Sequence, residues 1–463
     1  MTGLLIGAIA DDLTGAVDLA AALSRSGLRV AVSVGLPLPL PAAAPEAEAE
    51  AEVALVMPAA GVDVLIVALK IRSVAGQEAV AQAVQAAVFL QRHGAARLYF
   101  KYSSTFDSGD TGNIGPVSDA LFELFDRAEG TGAGVAVVCP AFPRLGRTVY
   151  HGHLFVGEQL LDRAGLGDHP LTPRREPSVV ALMGRQTAHG VGLVPLQTVR
   201  RGALAIAEAF FECAARGCRY VVTDATDDAD LVSIATACAD HGLVTGSAGL
   251  AGALASVLRP GGLSGLRPDG RSSSAVTADW RPPGDGPCVI LSGSLSEVTR
   301  RQVNAFARHG PVLRLDPRRL SAQTVPNAVA WASARLAHTA VLICSIRPDA
   351  ERGAPTLGLE KEIETLFGRI ARELYETGRR RFVVAGGETS GAVVQALGAG
   401  MLELGPEISP GVAWMADRGE RGLLLALKSG NFGDEEFFFR AVTSVENSDR
   451  KSGNSQTSRT PGR

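Results

Sequence analysis

Short apolar runs that stop at a glycine, a serine or an acid, and then give way to a segment of helical period, recur along nearly the whole chain. In the first third they lie at 4–10, 30–34, 62–68, 97–100 and 135–139, with helices expected to about residue 26 after the first run and over 77–92 after the third. Strands alternating with helices specify a mostly parallel, doubly wound sheet. Further runs at 192–199, 220–223, 288–291, 312–315, 340–344, 382–385 and 423–427 continue the pattern. Between 259 and 286 the sequence RPGGLSGLRPDGRSSSAVTADWRPPGDG has no hydrophobic period and reads as a linker. The expectation is therefore α/β with two domains, at 1–258 and 287–445, each a mostly parallel sheet flanked by helices. A Pro/Ala/Glu-biased insert at 36–52 is expected to be a solvated excursion, and the polar stretch 446–463 a disordered tail.

Composition removes several classes of function. With 463 residues, 46% hydrophobic and 20% charged, the chain is long enough for two or three globular domains. A net charge of −3 gives no electrostatic footprint for nucleic acid, and no apolar run approaches the roughly 18 residues of a membrane span. The start, MTGLLIGAIADD, lacks the basic segment of a signal peptide. The six cysteines include no CxxC pair, so reduced thiols are expected rather than disulfides or zinc ligands. A cytoplasmic protein without nucleic-acid or membrane partners follows; a homodimer is compatible with these features.

Two clusters carry chemistry. Asp11 and Asp12 close the first run, Lys70 and Arg72 the third, and Lys101 opens KYSSTFDSGDTGNIGPV at 101–117, which holds Ser103, Ser104, Thr105, Asp107 and Asn113. In open α/β sheets ligands bind at the carboxyl edge, where all of these are expected to fall. Lysine suits a carboxylate and the neutral groups suit hydroxyls, so the ligand is a small, hydroxylated anion; the plainer alternative is a polar surface loop. The second cluster is VVAGGETSGAVV, in which Gly386 and Gly387 join a strand to a helix beginning near Ser390, with Thr389 or Ser390 as N-cap. Such a turn offers free N–H groups to an anion. LKSGNFG follows, with Lys428 after an apolar run and Gly430 and Gly433 beyond it. Together these suit a polyphosphate, although a tight connection and a solvated lysine explain each one separately.

Other motifs are weaker. Ser292 and Ser294 lie in a turn ahead of Ser296, Thr299 and a helix, while TGSAGLAG near 245–252 fits either phosphate contact or close helix packing. The acidic run DATDDAD at 224–230 reads as a helix start rather than a Mg²⁺ site. Arg147, His151 and His153 share a loop whose spacing does not suit a helical metal site, and no protein-held metal is expected. A rigid loop is expected around Asp168-His169-Pro170 and Thr172-Pro173.

IADDLTGA, KYSSTFDS…GNIGP, PAFPRLGRTVYHGHL, SGSLSEVT, GGETSGAV and LKSGNFG occur in this order over residues 4 to about 444. In this the chain resembles the four-carbon acid sugar kinase family. The resemblance implies an N-terminal domain that binds a sugar acid, a C-terminal domain that binds ATP with Mg²⁺, and an active site in the interdomain cleft. It implies ATP contacts at Ser292, Ser294, Gly386, Gly387, Glu388, Thr389 and Gly430, and substrate contacts at Asp11, Asp12, Arg72, Lys101, Ser104 and Thr105. Lys428 would neutralise phosphate charge. Of Asp11, Asp12 and Asp107, Asp12 is taken as the carboxylate that receives the hydroxyl proton. STFDS, and VYHGHLFV followed by DHPLTP, are similar to the branch acting on a 3-keto acid; threonate or erythronate is the runner-up. The insert at 36–52 and the Gly109-Asp110-Thr111 spacing depart from the family pattern. Two other classes fit the sequence less well. An NAD-dependent dehydrogenase needs GxGxxG after a strand, which no stretch supplies, since TGSAGLAG has its glycines at other spacings. A non-catalytic sugar-acid sensor would not need intact GGET and LKSGNFG.

Overall fold

A computed structural model describes residues 4–36, 61–125, 134–164, 176–259, 280, 282–345, 359–417 and 421–456. The chain divides into two compact units between Val276 and Thr277, inside the stretch expected to be a linker. Most of that linker, the insert beyond Leu36, the loop around 168–173 and residues 457–463 lie outside the described residues.

In the first unit β1 (Ile6–Ala10), β2 (Val30–Val34), β3 (Val64–Ala68), β4 (Leu98–Lys101) and β5 (Ala136–Cys139) precede an antiparallel trio, β6 (Arg147–Tyr150), β7 (His153–Val156) and β8 (Gln159–Leu160). Then come β9 (Gly190–Val194), β10 (Cys218–Thr223) and β11 (Leu243–Gly246). The main sheet runs β2-β3-β1-β4-β11-β5-β10-β9 with every pairing parallel. Its central strands are buried throughout, as uninterrupted apolar runs require of a sheet covered on both faces. The Ala-rich helix Leu13–Arg25 packs close to the helix Ala248–Leu258, where a Cβ on Gly252 would stand 3.6 Å from that of Ala22. The glycines of TGSAGLAG serve packing of this kind: an added Cβ would lie 2.5 Å from the Cys139 carbonyl oxygen at Gly246 and 2.8 Å from that of Ala141 at Gly249.

Two expectations are corrected here. The run at 192–199 is not one strand; β9 stops before Pro195, which lacks the N–H a further ladder bond would need, and a short helix Leu196–Val199 follows. The stretch after β5, read as a loop, contains β6–β8, whose strands of two to four residues are too short to leave a periodic signal. The buried Asp224 carboxylate fixes their turn, accepting from the N–H groups of His151, Gly152 and Leu196 at 2.7, 2.8 and 3.0 Å. Further along the same acidic run, Asp227 caps the helix Asp228–Ala237 in a reciprocal capping box with Asp230.

The second unit comprises β12 (Val289–Ser292), β13 (Val312–Arg314), β14 (Val341–Cys344), β15 (Arg381–Ala385), β16 (Met401–Ser409), β17 (Val412–Ala416) and β18 (Leu424–Lys428). They are ordered β13-β14-β12-β15-β18-β17-β16, parallel as far as β18 and antiparallel beyond it. The last helix, Phe437–Gln456, overruns the boundary at 445 beyond which disorder was expected. Phe437, Phe438, Ala441, Val442 and Val445 are anchored in a core with Ile290 and Trp414. A helix nucleated by such contacts propagates into polar sequence at little further cost. Both units begin alike: the first strand lies between the third and the fourth, and the second lies on the far side of the third.

Candidate active-site residues

In the first unit, parallel register pairs Ala10 with Ala68 on β3 and with Lys101 on β4. Whatever follows these three strand ends therefore meets at one edge, where the chain order reverses. Asp11 and Arg72 form a bidentate pair, with Nε donating to Oδ2 and Nη2 to Oδ1, both at 2.8 Å. Arg72 Nη1 also reaches Asp12 Oδ2 at 3.0 Å and faces Asp107 Oδ2 at 3.8 Å. Burial pushes the Asp11 carboxyl upward, and Arg72 only partly offsets it. Burial also acts on Asp12, but the charges of Arg72 and Lys101, the Gly15 N–H and the Thr14 hydroxyl outweigh it and hold that carboxyl below its usual range. Arg72 is held well above its ordinary value, its two carboxylate neighbours overcoming its burial.

Asp12 is the N-cap of the helix Leu13–Arg25. Its Oδ1 accepts from the Gly15 N–H at 2.7 Å and its Oδ2 from the Thr14 hydroxyl at 2.9 Å. It remains the most open of the three carboxylates, with its side chain 24% exposed against 5% for Asp11 and 10% for Asp107. Lys101 differs from the open clamp expected of it. Its side chain is buried, and its ammonium donates to the Tyr102 carbonyl at 2.9 Å and lies 4.0 Å from Asp18. Its charge acts on Asp12 from beneath rather than facing outward. Thr105 is also turned inward, donating to Asp107 Oδ1 at 2.6 Å beside Ser103, whereas the Ser104 hydroxyl has no partner among the described residues. Asn113 donates to the carbonyls of Ile71 and Val74 and so ties the helix Ile114–Phe125 to the loop carrying Arg72. A pocket opens here among Asp11, Ile71, Arg72, Phe100, Asp107 and Ser108.

The second unit repeats the construction with different chemistry. Register pairs Ala385 with Ser292 on β12 and with Lys428 on β18, gathering three strand ends again. The helix Gly387–Leu397 starts from Gly386 at φ +119°, a conformation that side chains other than glycine's rarely adopt. The N-cap is thus Gly386, without a side-chain cap bond, and neither Thr389 nor Ser390 as expected. The N–H groups of Gly387 and Thr389, at the positive end of the helix, have no partner among the described residues. Thr389 and Ser294 close around Gly386, where a Cβ would stand 3.0 Å from the Thr389 hydroxyl and 3.2 Å from the Ser294 nitrogen. A Cβ on Gly430 would meet the Ser294 hydroxyl at 2.4 Å. Ser292 sits behind this group; it is fully buried and its hydroxyl has no partner among the described residues.

Lys428 does not point into the open. It is 1% exposed, donating to Thr299 Oγ1 at 3.1 Å and to the Gly430 carbonyl at 3.2 Å, and burial lowers its pKa to about 7. The Gly430 carbonyl also accepts from Ser296 and Thr299 at 2.6 and 2.7 Å, while Gln302 Nε2 lies within 3.0 Å of the Phe432, Gly433 and Asp434 carbonyls. With its carbonyls drawn toward the helix Glu297–Phe306, the loop leaves the Gly430, Asn431 and Gly433 N–H groups without partners among the described residues. Sequence reading missed Gln302 and the holding role of Thr299, because a donor behind a loop leaves no local motif.

One edge rich in ionised side chains and another of outward backbone N–H groups, on two α/β units, suit a small-molecule phosphotransferase. Family models described as "Sugar-binding N-terminal domain" and "Nucleotide-binding C-terminal domain" match residues 6–254 and 289–438. The chain belongs to the four-carbon acid sugar kinase family. It is 41% identical over 444 residues to a 3-oxo-tetronate kinase of Cupriavidus necator, covering 95% of this chain and 96% of that one. It is 42% identical over 454 residues to one of Methylobacterium radiotolerans, covering 95% and 99%. Among solved structures it resembles a Salmonella typhimurium LT2 protein (36% identity, TM-score 0.77, covering 95% and 99%). A Haemophilus influenzae protein is similar too (35% identity, TM-score 0.73, covering 95% and 100%). Among the described residues no helix is long and apolar enough to cross a membrane.

Proposed function

We propose that the chain transfers the γ-phosphoryl group of ATP to the terminal hydroxyl of 3-oxo-tetronate, giving 3-oxo-tetronate 4-phosphate and ADP. The observation that carries this reading is the paired strand-edge construction: the same register logic gathers Asp11, Asp12, Arg72 and Lys101 in one unit and Ser294, Gly386–Thr389 and Gly430 in the other. The names of the relatives supply the acid and its keto group. Phosphoryl transfer asks a protein for positioning and charge neutralisation, and these two edges are built for that.

In this reading the ATP phosphates lie against the Gly387 and Thr389 N–H groups, with Ser294 and the Gly430 loop alongside. Glu388, exposed in the helix's first turn, is the carboxylate that would hold a magnesium ion accompanying the nucleotide, since Mg²⁺ characteristically takes one or two carboxylates plus substrate phosphates. Lys428 supports the phosphate loop through the Gly430 carbonyl. In the acid site Arg72 keeps one N–H on each terminal nitrogen beyond its bonds to Asp11 and Asp12, and Ser104 offers a hydroxyl. Asp12 accepts the proton of the attacking hydroxyl through Oδ1 as the new O–P bond forms and the bond to the departing ADP oxygen breaks. Threonate or erythronate, with an alcohol at carbon 3, is the alternative acceptor.

A thermal-shift panel tests the nucleotide half. ATP·Mg should raise the unfolding midpoint and NADH should not, because only a ligand of the folded state stabilises it. A shift with NADH and none with ATP·Mg would overturn the reading.

A further inference from the structure

The Gln186 side chain, at the end of the helix Val179–Gln186, is held in a single amide orientation. The Gly115 N–H, which can only donate, meets its Oε1 at 3.0 Å, and the Gly109 carbonyl, which can only accept, meets its Nε2 at 2.7 Å. The second Nε2 hydrogen is therefore committed to Ser108 Oγ, 2.9 Å away. Ser108 accepts this bond, so its own proton is free to point elsewhere, and it has no acceptor among the described residues. Ser108 is 8% exposed and lines the pocket that contains Asp11, Arg72, Asp107 and Asn113.

The sequence around Ser108 is shaped to this contact. A Cβ on Gly112 would lie 1.8 Å from the Ser108 hydroxyl oxygen, and one on Gly115 would lie 2.5 Å from Gln186 Cβ. A side chain at either position would force the pair apart. The wall beside Ser108 holds two carboxylates, Asp11 and Asp107, against the single guanidinium of Arg72. A substrate carboxylate placed there would add a third negative charge, whereas a neutral carbonyl oxygen adds none and accepts a hydrogen bond.

We propose that Ser108, with its proton aimed by Gln186, donates to the neutral keto oxygen of the substrate, and that this pair makes the site prefer a 3-keto acid over the corresponding alcohol. The proposal rests on reading this pocket as the acid site. Ser108 would be a binding residue and Gln186 a positioning residue that acts through it. Removing a donor from a site built to meet a carbonyl costs the keto substrate more than an alcohol, which brings its own proton.

The test compares kcat/KM for 3-oxo-tetronate and for threonate in the wild type, Ser108→Ala and Gln186→Glu, with circular dichroism to verify folding. Ser108→Ala should lower the keto-acid value at least tenfold, change the threonate value less than threefold and leave the KM for ATP unaltered. Gln186→Glu keeps the bond to the Gly115 N–H but puts an acceptor where Nε2 stood. The Ser108 proton then turns away from the pocket, and the keto-to-alcohol ratio should collapse with the serine still present. A ratio within threefold of wild type in a folded example of either variant overturns the proposal. A wild type that phosphorylates no 3-oxo acid overturns the acid-site reading, and this inference with it.

Discussion

The two units open with the same four-strand arrangement and bring three strand ends together in the same way, yet they end in opposite materials. In the first, the gathered groups are side chains already paired with one another: Arg72 is shared among Asp11, Asp12 and Asp107, and Lys101 sits beneath them. In the second they are backbone N–H groups, held outward by side chains bonded from behind. Side chains can distinguish a keto acid from an alcohol, because a hydroxyl or guanidinium can be aimed at one atom. A backbone cradle distinguishes little beyond charge and shape, which is sufficient for a polyphosphate. Topology brings the strand ends together, and the residues after the strands decide what chemistry is gathered there.

The sharpest way to break the contrast is Gly386→Val. Any side chain there is strained at φ +119° and meets Thr389 and Ser294. Calorimetry should show ATP affinity down at least hundredfold, about 2.7 kcal/mol, while the stabilisation conferred by the acid persists. Undiminished ATP affinity would refute the cradle. Arg72→Met comes next. It should lower kcat/KM for the acid roughly thirtyfold and, by leaving Asp11 buried without a partner, reduce stability by about 3 kcal/mol in a urea titration. If the KM for ATP rises in step, Arg72 does not belong to the acid site alone.

Asp12→Asn preserves a good N-cap, so it separates the cap from the chemistry. A fall in kcat of at least tenfold with the acid KM nearly constant is expected; turnover within a fewfold of wild type would leave Asp12 as a cap only. Lys428→Met should have the smallest effect, raising the KM for ATP about tenfold through a slackened Gly430 loop, and unchanged kinetics would remove Lys428 from the account. Its titration gives a second readout. The lysine titrates near 7 in the folded protein and at its ordinary value near 10.5 when unfolded. Between those values the unfolded state binds more protons, so its contribution makes wild-type stability rise with pH. Denaturant titrations from pH 7 to 9 should show a smaller rise in Lys428→Met.

Much of this was legible in the sequence because strand ends and glycines are local signals. Asp11, Arg72, Lys101, Gly386 and Lys428 each stand at the end of an apolar run, and parallel pairing does the rest. What the sequence concealed was direction and distance. Nothing in LLLALKSG distinguishes a lysine facing phosphate from one buried behind the loop, and that choice was settled by Thr299 and Gly430. Gln186 lies 78 positions beyond Ser108, and Asp224 meets His151 and Gly152 from more than 70 positions away, so no window of sequence contains either contact. The strands β6–β8 were missed because pieces so short show no alternation.

ATP-dependent phosphorylation of a keto acid can be measured by coupled ADP release, with 3-oxo-tetronate generated in situ by a dehydrogenase and threonate and erythronate supplied in parallel. ADP formation should depend on ATP·Mg and the acid, with kcat/KM for 3-oxo-tetronate at least tenfold above either alcohol. Faster turnover of threonate or erythronate would contradict the assignment of the keto acid, and no ADP release with any of the three would contradict the kinase itself.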